Sequence, residues 1–263
     1  KNWVPFTKAE VYKTIGVDEE LSKKLGGDQR TAIFASQVAG NKVRRIDRLQ
    51  GVGGRFNTGA VFQTFDIFDE SAQVETHPFY NLMGFFPDGG DAIFERQNAL
   101  HGGILYDAKN QLVREAPPNL VSDHTIPPPH TRRLVPFISC IRCHGPQEGL
   151  IDVGNDVQKL LGSGTDIKAD FSKVGTTQEQ IDRIAGLYLG DFSRRIKLAR
   201  DDYTLATRRA TIMPGKAEGM DVTETSALVS AIYNGYTYDQ VGAEQALREL
   251  GHTPGENAIQ QLR

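Results

Sequence analysis

Residues 92–113 read AIFERQNALHGGILYDAKNQLV, and this stretch decides the fold. Its aliphatic and aromatic residues fall into short runs, broken by polar residues and by the pair Gly102-Gly103. Runs of this kind bounded by turn formers read as strands. The end of the stretch, YDAKNQLV, predicts a hairpin with Ala108 to Gln111 at its turn. Upstream, KVRRIDRLQGV (residues 42–52) and GAVFQTFDIFD (59–69) share this composition and predict further strands. Residues 1–40 read as helical, with Leu21, Leu25, Ile33 and Phe34 as apolar positions after an Asp18-Glu19-Glu20 start. Downstream, residues 116–136 hold six of the twelve prolines and predict an extended connector over the surface. Residues 176–210 then return to helical spacing, with apolar side chains at 181, 184, 188, 192, 196 and 199. Residues 221–236 and 238–251 predict two shorter helices. The expected class is α+β, a β-rich N-terminal half followed by a helical half. The expected division is a mixed helix and sheet region over 1–115, a Pro-rich connector over 116–139 and a helical region over 140–263, with one integrated domain as the alternative.

The bulk numbers bound the function classes. At 263 residues the chain is long enough for one large or two modest cores. Charged residues make up 24% and the net charge is -3, which points to neither nucleic acid nor an anionic membrane surface as a partner. No apolar run approaches the roughly 18 residues that a membrane helix needs. The opening KNWVPFTKAE has neither a basic n-region with an apolar stretch nor an initiator methionine, so it reads as a mature or excised segment.

The chain has two cysteines, and they sit together in FISCIRCHG, residues 137–145. At average usage, two cysteines three apart with histidine next arise by chance in about one chain in several thousand. A thioredoxin-like redox pair would need a strand before Cys140 and a helix after it in a βαβ pattern, whereas proline-rich sequence precedes it. A zinc site would lack a specified fourth ligand. The remaining reading is covalent haem c, one per chain. Cys140 and Cys143 add across the two vinyl groups, and His144 supplies the proximal nitrogen to iron. The helical half is then the haem-bearing half.

This Cys-Ile-Arg-Cys-His run resembles the attachment motif of c-type cytochromes, a resemblance that implies maturation outside the cytoplasmic membrane and a periplasmic or other extracytoplasmic location. Small c-type cytochromes carry the motif near the N-terminus of a fold of about 100 residues, a plan this chain departs from. It is more similar to the cytochrome-c-like domains of large planctomycete-type extracytoplasmic proteins. The stretches that carry this resemblance are residues 53–69, 85–123, 138–145 and 236–251. A β-rich part before a late CxxCH is also similar in layout to cytochrome P460-type proteins.

The sixth ligand decides between electron transfer and chemistry on a bound ligand. Met213, in the sequence IMPG, resembles the loop methionine of small c-type cytochromes and is the first candidate, against a gap-filling role. His101 is followed by two glycines that let backbone or cofactor approach, and against this stands a strand histidine bonded to a neighbour. His124 and His130 flank the run Pro127-Pro128-Pro129, and an open position is the last alternative. Arg142, with Arg132 and Arg133, could pair with a haem propionate. GVGGRFNTG lacks the helix and downstream acid of a dinucleotide fingerprint and reads as a turn between strands. The basic residues of 192–210 read as a solvated, charge-paired helical face. The function expected is extracytoplasmic electron transfer with a redox partner protein, as a module that can belong to a larger chain. The alternatives are a haem enzyme of peroxidase or P460-like type and a redox or gas sensor.

Overall fold

The computed structural model describes residues 6–20, 30–36, 38, 42–50, 60–67, 86–123, 132–136, 139–140, 144, 149–153, 177–179, 182, 192–210, 220–221, 223–224, 227–228 and 231. Their elements are helix α1 (Lys8–Ile15), strands β1 (Arg30–Ser36), β2 (Lys42–Gln50), β3 (Ala60–Phe65), β4 (Gly89–Glu95), β5 (His101–Asp107) and β6 (Leu112–Val113), and helix α2 (Phe192–Ala210). The six strands form one sheet in chain order, every neighbouring pair antiparallel. The class is α+β, with the sheet in the N-terminal half and the long helix after it.

Both faces of the sheet are covered, and period-2 alternation sorts the side chains between them. Leu49, Val61, Ala92 and Tyr106 pack with Tyr12, Ile15 and Val17 of α1 and its exit. The opposite face presents Ile46, Ala60, Phe62 and Ile93 to Leu150, Val153 and the α2 residues Phe192, Ile196 and Ala199. Hence β3 is buried nearly throughout, its polar Gln63 and Thr64 included. Phe62 and Phe192 meet edge to face, with centroids 6.3 Å apart. Burying each such ring contributes about 1.5–3 kcal/mol.

Local chemistry sets the boundaries. Thr7 and Glu10 form a capping box on α1, and Gly16 ends it in the left-handed conformation. The turn after β5 lies where the sequence predicts it. Asp107 accepts the N–H groups of Lys109 and Gln111 on its carboxylate, and Asn110 takes the positive φ. The inward stripe of α2 is Phe192, Ile196, Ala199, Tyr203, Ala206 and Thr207, continuing the spacing seen in the sequence. Asp221 and Glu224 bond reciprocally through side chain and backbone, the signature of a helix start.

Two expectations change. Residues 30–36 are not helical: they form β1, paired over seven residues with β2 from Arg30↔Arg48 to Ser36↔Lys42. β2 exposes a full row of backbone groups that only a strand can satisfy. The proline connector is also no surface strap at its described residues. Ala116, Leu120 and Val121 are buried against Leu105. Its two limbs bond each other through Ala116 N–H to Leu134 O and Asp123 N–H to Arg132 O.

Candidate functional site

Ser139 and Cys140 begin a helical turn that closes on His144, whose N–H donates to the Cys140 carbonyl at 2.7 Å. The turn is tied to the connector from both sides. Val135 N–H donates to the Ser139 hydroxyl at 2.9 Å, and Ser139 N–H donates to the Val135 carbonyl at 3.1 Å. Cys140 and His144 both line one cavity. No strand lies in 132–136.

The His144 ring is held in one tautomer. Its Nδ1 lies 2.8 Å from the Gly149 carbonyl, and a carbonyl can only accept, so Nδ1 carries the proton. Nε2 then carries the ring's basic lone pair, the atom through which this imidazole could ligate a metal. A histidine ligand is oriented and made more basic by this kind of bond. Gly149 reaches the position with φ +56°.

Cys140 and His144 stand on the wall of a cavity of about 380 Å³. Ile46, Phe62, Ile93 and Leu105 form its sheet side, with Leu120, Leu134, Leu150, Val153 and Ile196 opposite. One part of the wall is polar. The buried Arg44 guanidinium donates to Ser36 Oγ at 3.1 Å, Thr64 Oγ1 at 3.0 Å and Asp91 Oδ1 at 2.9 Å, and its Nε pairs with Asp66. The Thr64 hydroxyl also bonds Asp91, and Tyr106 donates to the Thr64 carbonyl at 2.5 Å. Burial disfavours the Arg44 charge, but Asp66 and Asp91 outweigh it and raise the pKa above its usual value.

His101 lies on the same sheet face as the motif. Period-2 alternation along β5 aligns it with Gly103 and Leu105, and the Cys140 Sγ sits 3.6 Å from where a Cβ on Gly103 would be. The His101 ring stacks on Tyr203 of α2 at 4.1 Å and 11°. It is 9% exposed, and neither ring nitrogen has a hydrogen-bond partner among the described residues. Burial, and then the charge of His144, lowers its pKa to about 4.

No protein-family model, no curated protein and no solved structure matches the chain. The site therefore stands on its own residues.

Of the residues singled out in the sequence, Cys140, His144 and His101 come together on one face of the sheet. Cys143, Arg142, Met213, His124 and His130 lie outside the described residues. Arg133 is exposed and pairs with Glu115 at 2.5 Å. Among the described residues, no group of three His, Cys, Asp or Glu side chains is arranged to hold a metal ion, and no helix is long and apolar enough to cross a membrane. Sequence reading missed the Arg44, Asp66 and Asp91 cluster, Tyr203 and Gly149. The parity of Arg44 with Ile46 was the one available signal, since both point to the same face of β2.

Proposed function

We propose that the chain is a monohaem c-type cytochrome acting in extracytoplasmic electron transfer, with haem c attached to Cys140 and Cys143 and held by His144. The observation that carries the reading is the His144 imidazole. It is one turn from Cys140, on the wall of a mainly aliphatic cavity, with Nδ1–H fixed by the Gly149 carbonyl and Nε2 left as the basic nitrogen. The residues present fit the group: a thiol and an imidazole on one turn, and an apolar wall of the size that cofactor sites use. Bound haem iron supplies one-electron exchange. The chain's residues anchor it, orient the proximal ring and exclude water.

Electron transfer is favoured over catalysis by the charged part of the wall. Arg44, Asp66, Asp91, Thr64 and Ser36 are bonded to one another. A cluster so engaged supports structure, whereas a haem enzyme needs a distal group that offers a proton to its ligand.

Expression in a host with a cytochrome c maturation system provides the test. Acid-acetone extraction should leave the colour on the polypeptide, and voltammetry should show a reversible one-electron couple. A colourless chain carrying zinc would end the haem reading. Sustained turnover of peroxide by the coloured protein would replace electron transfer with the enzyme reading.

A further inference from the structure

We infer that Ser139 is a positioning residue of this site, the joint that holds the Cys140 sulfur against β5, where a porphyrin would be attached. For its function the inference rests on the haem reading above.

Ser139 is bonded twice to one residue. Its hydroxyl accepts the Val135 N–H at 2.9 Å, and its own N–H donates to the Val135 carbonyl at 3.1 Å. Both polar groups of Val135 are thereby engaged, so the backbone cannot turn here without breaking one of the bonds. Ser139 is 9% exposed, which leaves water little access to replace its hydroxyl.

The joint lies between two contacts with the same strand. On its N-terminal side Leu134 packs against Leu105, Leu120 and Val121, and its carbonyl accepts the Ala116 N–H at 2.8 Å. On its C-terminal side the Cys140 Sγ lies 3.6 Å from where a Cβ on Gly103 would be. Leu105 and Gly103 are two apart on β5, so they face the same way, about 7 Å from each other. The chain therefore leaves β5 at Leu134 and returns beside its starting point at Cys140, and the clasp at Ser139 closes that excursion. The His144 N–H, 2.7 Å from the Cys140 carbonyl, carries the imidazole in the same frame. Removing the Ser139 hydroxyl strands the Val135 N–H and frees the sulfur to leave Gly103, with little change in side-chain volume.

Two measurements test this. The first follows alkylation of Cys140 by iodoacetamide in the haem-free chain carrying Cys143→Ser. It is made at low urea, where a rate independent of urea reads local opening. Ser139→Ala should raise that rate about tenfold, the factor that a lost buried hydrogen bond commonly represents. The second uses the haem-loaded chain. Ser139→Ala should keep covalent haem but displace the hyperfine-shifted haem methyl proton resonances, which follow the plane of the proximal imidazole. Ser139→Thr, which keeps the hydroxyl, should behave as wild type in both. An alkylation rate unchanged in Ser139→Ala overturns the inference, and so do unmoved resonances, whatever the variant does to the urea midpoint. A threonine variant as reactive as the alanine variant would also overturn it, since the hydroxyl would then be irrelevant. If Ser139→Ala takes up no haem, the alkylation rates decide alone. Loss of colour on acid-acetone extraction of wild type would instead refute the haem reading, and alkylation would still decide whether Ser139 holds Cys140.

Discussion

Gly149 offers the sharpest test of how the proximal histidine is held. Its φ of +56° is a conformation that L side chains adopt at a cost of about 1–2 kcal/mol. A Cβ added there would lie 3.2 Å from Arg200 Cγ and 3.5 Å from Tyr203 Cδ1. The first contact is tight, but Arg200 Cγ belongs to a long side chain that can give a few tenths of an ångström. Gly149→Ala should therefore destabilise the chain by about 1–2 kcal/mol, most of it conformational. Combining it with Arg200→Ala separates the two contributions: the crowding disappears, and the backbone cost remains.

The same substitution should reach the iron. The bond from His144 Nδ1–H to the Gly149 carbonyl, 2.8 Å long, would make the ring a stronger donor to a haem iron held there and favour its ferric state. A neutral hydrogen bond is worth about 0.5–1.5 kcal/mol, equivalent to about 20–65 mV for one electron, and only the difference between oxidation states counts. Gly149→Ala should raise the potential by an amount within that ceiling. Urea denaturation and voltammetry on one preparation read both effects. Unchanged stability together with an unchanged potential would show that the Gly149 carbonyl does not fix His144.

Arg44→Leu should cost about 3–5 kcal/mol at neutral pH by urea denaturation, because it strands Asp66 and Asp91 beside the cavity. The deficit should shrink in acid, where the stranded carboxylates take up protons; a deficit independent of pH would mean that packing dominates. Gly103→Ala should be tolerated, since its Cβ meets Cys140 Sγ at an ordinary 3.6 Å, whereas Gly103→Val should crowd the sulfur and lower the ratio of haem to protein. Equal haem content in both variants would contradict the placement of Cys140. Glu95 is pushed toward its protonated form by burial, which outweighs its bond from Ala60 N–H at 2.7 Å and the nearby Arg48. The folded pKa is the higher one, so ionisation weakens the fold as pH rises through it. Glu95→Gln should therefore gain stability relative to wild type at pH 7 but not in acid, as paired denaturation curves would show.

The parts of the fold legible in the sequence are those with local determinants. Phe62 and Ile93 fall in strand-like runs, and Phe192, Ile196 and Ala199 repeat at helical spacing, so each element declares itself. The Asp107 to Gln111 turn carries its own hydrogen-bonding side chain. Residues 30–36 failed as a local reading because Ile33 and Phe34 also continue a helical spacing from Leu21 and Leu25. What makes them a strand is the edge of β2, a tertiary fact. The connector misled for a similar reason. Its prolines signal an extended chain but not where it lies, and Leu105 supplies the apolar surface that draws Leu120 and Val121 inward. The candidate site divides the same way. Cys140 and His144 are read within five residues, while Arg44, Asp66 and Asp91 meet only when the meander brings β2, the end of β3 and β4 together.

That cluster also constrains how a haem can sit. One guanidinium against two carboxylates leaves this cluster with one more negative than positive group, on the wall shared with Cys140 and His144. A haem propionate placed there would meet like charge, and Arg44 is already engaged with both acids. Propionates are therefore expected to point away from Arg44, even though it is a buried arginine on the cavity wall. The same charge would favour the more positive oxidation state of a haem iron bound in the cavity. At about 10 Å and an effective dielectric of about 20, one unit charge contributes about 1.7 kcal/mol, or about 70 mV for one electron. On the haem reading the effect would lower the potential, in the same direction as the bond from His144 to Gly149. Two independent features of the chain thus press one way. If the chain carries a haem, a couple shifted this way suits a donor of electrons better than a final acceptor, and a search for its redox partner would start from electron acceptors.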